Sequence, residues 1–220
     1  RMVAWWPFDE PVSATSAKDV THLSPAKNVA NLVRGAAITA GGHKGRMLCV
    51  PGELDYAVVP FANQLGFQFG AGSFAADAWV QMPPGAGPRM MVEKRVIISG
   101  TVTRGFALYF VGLQAHLDLG NGIVTQVVPG PTVAANTWQH VAFSVDRTTG
   151  QGRWYLNGAV VPAFNFTPVT GPISSAADLW IGQSAVFPTM PLQGCVDDLE
   201  VFFAPNGNPL PAASVATIYA

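Results

Sequence analysis

Apolar and polar positions alternate with a period of two in short runs along the chain, the signature of strands with one buried face. From Ser73 to Met82, Phe74, Ala76, Ala78 and Val80 fall on one side, and Asp77, Trp79 and Gln81 on the other. Within Trp138–Asp146 the inward set is Val141, Phe143 and Val145, which leaves His140, Ala142 and Ser144 outward. The same reading predicts strands over Val3–Phe8, Gly45–Val50, Tyr56–Val59, Met91–Ser99, Gly105–Val111, His116–Leu119, Ile123–Val128, Gly152–Leu156, Leu179–Gly182 and Gly194–Phe203. Asn121-Gly122 is a strong two-residue hairpin signal, and Asn157-Gly158 marks another tight turn. Residues 11–35 read as a mostly polar loop. Ala212–Tyr219, preceded by Pro209 and Pro211, reads as a helix of two turns. The predicted fold is all-β, a two-sheet antiparallel sandwich with a short C-terminal helix. No linker divides residues 1–220, so a single domain is expected.

Composition sharpens this picture. The 23 Gly and 18 Pro are spread along the chain and disfavour long helices. Hydrophobic residues make up 49%, enough for a large core. Charged residues are only 11%, against about 25% in an average domain. Twelve Lys and Arg against 13 Asp and Glu give a net charge of −1, which argues against nucleic-acid binding. The longest strongly apolar stretch, Phe106–Leu113, is far shorter than the ~20 residues of a spanning helix, so membrane insertion is not expected. Cys49 and Cys195 fit no metal or redox spacing and can equally form one disulfide or stay as two small buried hydrophobes. The chain opens with Arg1 and reads as a mature or excised segment of a secreted or cell-surface protein.

Several segments, in order, resemble the laminin-G-like jelly-roll family of concanavalin A-like domains. They are Trp6-Pro7-Phe8-Asp9-Glu10 with Asp19 beyond it, Gly45–Gly52 running into Tyr56–Pro60, and Phe74–Gln81. Trp138–Asp146 followed by Trp154-Tyr155-Leu156-Asn157-Gly158 is the most specific match, and Leu179–Gly182 with Gly194–Val201 completes the set. The resemblance implies a two-sheet jelly roll and, for many relatives, carbohydrate binding, as in lectins, or adhesion. Met90–Ser99 is more apolar than an exposed strand of that family and reads as an edge covered by another domain.

Catalytic signatures are absent. Glu10, Glu53, Glu93 and Glu200 form no Glu-x-Asp-x-Glu run, and no Gly-x-Ser-x-Gly elbow or His-Glu-x-x-His helix is present. His22, His43, His116 and His140 are too dispersed to argue for zinc. In a jelly roll the first and last strands commonly meet, which would bring Asp9 or Glu10 near Asp197 or Asp198. Crowded carboxylates raise one another's pKa, and a structural Ca²⁺, which takes 6–8 oxygens, resolves the conflict. Asp9, Asp19 and Asp197 are the candidate calcium ligands, by resemblance as well as by this argument; solvent exposure or backbone N–H donors would serve the same acids equally.

Period-two logic also yields a candidate binding face. If the relevant strands share one sheet, Asp77, Trp79, Tyr109, His116, Asp118, His140, Arg153 and Tyr155 face outward together. Rings interspersed with hydrogen-bonding groups suit a sugar, whose CH faces stack while its hydroxyls bond. The same Trp residues can instead cover the core. The expected function is non-catalytic recognition of a glycan or of a cell-surface or extracellular protein. The alternative is a structural or adhesive domain that packs on its neighbours and has no small-ligand site.

Overall fold

The computed structural model describes residues 1–21 and 27–220, so His22 lies outside the described residues. In chain order the strands are β1 (Met2–Trp6), β2 (Ser16–Ala17), β3 (Ala30–Val33), β4 (Ala37–Ala40), β5 (Arg46–Val50), β6 (Tyr56–Val59), β7 (Ser73–Gln81) and β8 (Pro88–Ser99). They continue with β9 (Val102–Val111), β10 (Gln114–Asn121), β11 (Thr125–Thr132), β12 (Gln139–Asp146), β13 (Gln151–Leu156), β14 (Ala159–Asn165), β15 (Leu179–Ile181) and β16 (Gly194–Ala204). One α-helix, α1 (Ala212–Tyr219), follows.

Among the described residues, two antiparallel sheets of eight strands form the sandwich. The front sheet runs β14-β13-β12-β7-β16-β5-β4, with β1 also paired to β16; the back sheet runs β11-β10-β9-β8-β15-β6-β3-β2. First and last strands therefore do meet, with Trp6 opposite Leu199 and Trp5 opposite Glu200. The alternation along β7 and β12 holds, since Ala76 lies opposite Phe143 and Ala78 opposite Val141, all fully buried. Trp6, Phe8, Phe74, Phe106, Phe143 and Trp154 fill the space between the sheets. Each such ring contributes about 1.5–3 kcal/mol by leaving water.

Three expectations are corrected by the pairing. The polar stretch 11–35 contains β2 and β3, which pair with each other at the margin of the back sheet. Met90–Ser99 is not an edge: β8 lies inside the back sheet, between β9 and β15. The outer surface of β7 is not open either, because residues 205–220 turn back over it. Leu210 and Val215 pack there against Ala75, Ala142, Tyr155 and Phe202. Cys49 and Cys195 stand directly opposite on β5 and β16, with Cα atoms 4.2 Å apart, and are bridged.

Candidate functional site

On the outer surface of the front sheet, register builds two cross-strand rows. Ala142, Asp77, Glu200 and Trp5 lie in one; His140, Trp79 and Asp197 lie in the next. Strict alternation would turn positions 197 and 200 to opposite faces. A bulge at Asp198, whose φ is +47°, inserts the extra residue that brings both outward. Asp198 itself accepts a hydrogen bond from the Trp5 indole N–H at 2.9 Å.

The loop before β5 closes one side. Asp197 accepts the Lys44 backbone N–H at 3.0 Å, and Asp9 accepts that of Arg46 at 2.8 Å. Gly42 and Gly45 are required here, since a Cβ at Gly42 would strike the Arg46 carbonyl and one at Gly45 the Asp9 carboxylate. The seated loop stacks His43 on Trp79, with centroids 3.3 Å apart, and Tyr219 of α1 stacks on the same indole at 5.4 Å. Between loop, helix and sheet lies a cleft of about 450 Å³ lined by Trp5, Pro7, Asp9, Lys44, Trp79, Asp198, Glu200 and Ile218.

Its floor is electrostatically unusual. Asp77 is 1% exposed, Glu200 7% and His140 0%. Both Asp77 oxygens, Glu200 Oε2 and both His140 nitrogens lack hydrogen-bond partners among the described residues. The closest approach is His140 Nε2 to Asp77 Oδ1, at 3.5 Å. Burial, then the charge of Asp198, holds the Asp77 carboxyl well above its ordinary range. Glu200 is pushed up to about 8 by burial and by Asp77 and Asp198, with Lys44 opposing. Burial lowers His140 to about 4, so it is a neutral imidazole at physiological pH. Asp197 rises to about 7, chiefly through burial, with the Lys44 N–H pulling the other way. Such a set of perturbed acids in a cleft is a functional-site pattern.

The eight residues of the expected binding face do not share one surface. Asp77, Trp79, His140, Arg153 and Tyr155 lie on the front sheet; Tyr109, His116 and Asp118 lie on the back sheet. Tyr155 is fully buried, donating its hydroxyl proton to the Leu210 carbonyl at 3.2 Å. Arg153 is exposed on β13, away from the cleft. On the back sheet Tyr109 stacks on His116 at 5.3 Å, while Asp118 is bonded to Arg95 and to the Thr103 hydroxyl. Only Trp79 of the eight lines the cleft, with Asp77 and His140 behind it.

The three acids expected to hold calcium do not converge. Asp19 accepts the backbone N–H groups of Trp5 and Thr21 on one oxygen and the Asn28 side-chain amide on the other. It ties the loop after β1 to β1, while Asp9 and Asp197 seat the Lys44 loop. Their oxygens accept N–H groups at separate places rather than turning to one shared position. Among the described residues no group of three or more His, Cys, Asp or Glu converges on a metal position. These residues do not fit a calcium ion. Trp5 and Glu200, which the expected face omitted, were readable in part: Trp6 points inward, so Trp5 must point out.

A family model described as the concanavalin A-like lectin/glucanases superfamily matches residues 52–205. No curated protein matches the chain. Among solved structures, the binding domain of Paraclostridial Mosquitocidal Protein 1 superposes with a TM-score of 0.72 at 12% identity, over 99% of this chain and 51% of that one. The ligand binding domain of botulinum neurotoxin serotype D, in complex with N-acetylneuraminic acid, gives 0.70 at 9% identity, over 99% and 50%. The chain thus spans about half the length of these toxin domains. Domain 4 of AbnA, a GH43 extracellular arabinanase from Geobacillus stearothermophilus, in complex with arabinotriose, gives 0.67 at 17% identity, over 100% and 98%. At these identities the likeness is one of fold.

Proposed function

The chain belongs to the concanavalin A-like lectin/glucanases superfamily, and from that premise we propose that it is a non-catalytic module that binds a glycan in the front-sheet cleft. The observation that carries this reading is the cleft itself, where the half-buried Trp5 indole and the Trp79 wall stand beside Asp198, Glu200 and Lys44. Indole surface accepts the CH face of a pyranose, and carboxylates and an ammonium bond its hydroxyls. The arabinotriose and N-acetylneuraminic acid complexes of the structural neighbours support the same class of ligand. Export is supported by the Cys49–Cys195 bridge, since disulfides form and persist in oxidising compartments. Among the described residues no helix is long and apolar enough to cross a membrane.

A glycan array followed by calorimetric titration of the hits tests the proposal. Trp5→Ala should weaken binding by about tenfold or more, equivalent to roughly 1.4 kcal/mol. Its melting temperature should stay close to that of the parent. An array without hits, or a Trp5→Ala variant with unaltered affinity, contradicts the assignment.

A further inference from the structure

Resting on the reading of the cleft as a glycan site, we infer that its ligand is cationic: an amino sugar whose protonated amine lies against Glu200 and Asp198 while its ring contacts Trp5. The cleft wall carries three carboxylates, on Asp9, Asp198 and Glu200, against one ammonium, on Lys44. A fourth, Asp77, is buried directly behind Glu200 in the same cross-strand row. Glu200 is more than nine-tenths buried, lines the cleft and leaves Oε2 without a partner among the described residues. Such a group stays protonated in the free protein, and an ammonium beside it would release the proton and restore the carboxylate.

The fold answers the same demand elsewhere with a built-in cation, Arg95 between Glu93 and Asp118. Here, among the described residues, it supplies none at the floor, because His140 is neutral and Lys44 is exposed at the rim. A neutral sugar hydroxyl offers one donor and no charge. An ammonium offers three donors and a full positive charge, which counts for more where water is excluded. A bare metal ion would need a convergent ligand set that is not present among the described residues, whereas a sugar brings its ammonium on a frame that Trp5 can seat.

The test compares glucosamine tetrasaccharide, its fully N-acetylated counterpart, an uncharged glucan of equal length and a lysine tetrapeptide, titrated calorimetrically at neutral pH, where an ammonium can draw the proton from Glu200, and at two salt concentrations. The glucosamine oligomer is expected to bind at least about tenfold more tightly than the others, with affinity falling as salt rises. In Glu200→Gln, and independently in Asp198→Asn, that preference should shrink to about threefold or less. Equal binding of amine and N-acetyl forms overturns this inference and leaves the glycan reading standing. A lysine peptide that binds as tightly as the amino sugar overturns the assignment to a sugar. Binding of none of the sugars here, together with an empty glycan array, overturns both.

Discussion

Both outer faces of the sandwich bury a pair of acids, and they treat them differently. On the back sheet Glu93 and Asp118 flank Arg95, and Glu93 also accepts the Ser184 hydroxyl and the Ala185 N–H. Burial raises both carboxyls, but Arg95 pulls both back, helped at Glu93 by these donors and at Asp118 by the Thr103 hydroxyl. On the front sheet Asp77 and Glu200 face each other across β7 and β16 with a neutral histidine as companion. The back-sheet triad is complete, and it anchors the loop that carries Phe187 over Arg95. The front-sheet group is incomplete and opens onto a cleft. A fully partnered buried acid is structure; an unpartnered one beside a cavity is where the proposed ligand would complete the set.

The comparison can be broken most severely at Arg95. Arg95→Met leaves two buried carboxyls without a cation and should cost about 3–5 kcal/mol in urea unfolding, the usual penalty for removing one partner of a buried pair. The front sheet has a different fastening, the bridge between β5 and β16. Cys49→Ser with Cys195→Ser should cost about 2–5 kcal/mol, toward the upper end because the bridge closes a loop of 146 residues in the unfolded chain. The back-sheet triad should be unaffected by that change.

Glu200→Gln should do the reverse and stabilise. Glu200 titrates near 8 when folded and near 4.5 when unfolded. Between these values the unfolded chain has released a proton that the folded chain retains, so stability falls as pH rises. The neutral amide removes Glu200's share of that slope and should raise stability at about pH 8 by up to about 4 kcal/mol. His140 acts with the opposite sign: folded near 4 against 6.5 unfolded, it withdraws stability as pH falls through that window. The parent protein should therefore lose stability on both sides of mildly acidic pH, and Glu200→Gln should lose less on the alkaline side, where Asp77 and Asp197 still titrate. The smallest effect expected is at Tyr109 and His116. Replacing both by Ala should leave glycan affinity within about twofold, because that pair lies on the opposite sheet.

Much of the architecture was legible because it rests on local signals. Period two in β7 and β12, the positive φ values at Asn157 and Gly158, and Pro211 before α1 each follow from residue chemistry. At Asn121-Gly122 the turn is one residue longer than expected, because the Asn121 side chain accepts the N–H groups of both Ile123 and Val124. The short strands β2, β3 and β4 escaped notice, since their ladder bonds come from other segments of the chain. The binding face was misread for the same reason. Alternation tells which way Tyr109 and Trp79 point within their own strands, but not that β9 and β7 belong to different sheets. Nor does it show that residues 205–220 fold back over Tyr155, or that a bulge at Asp198 brings Glu200 beside Asp77. These are tertiary facts, and the site is made of them.

The most direct test is a carboxyl-carbon NMR titration of Glu200, in the free protein and saturated with glucosamine tetrasaccharide. The account predicts a midpoint near 8 in the free protein, falling clearly once the sugar amine is bound. A midpoint near the ordinary 4.5 without ligand, or one that saturation leaves in place, would contradict it.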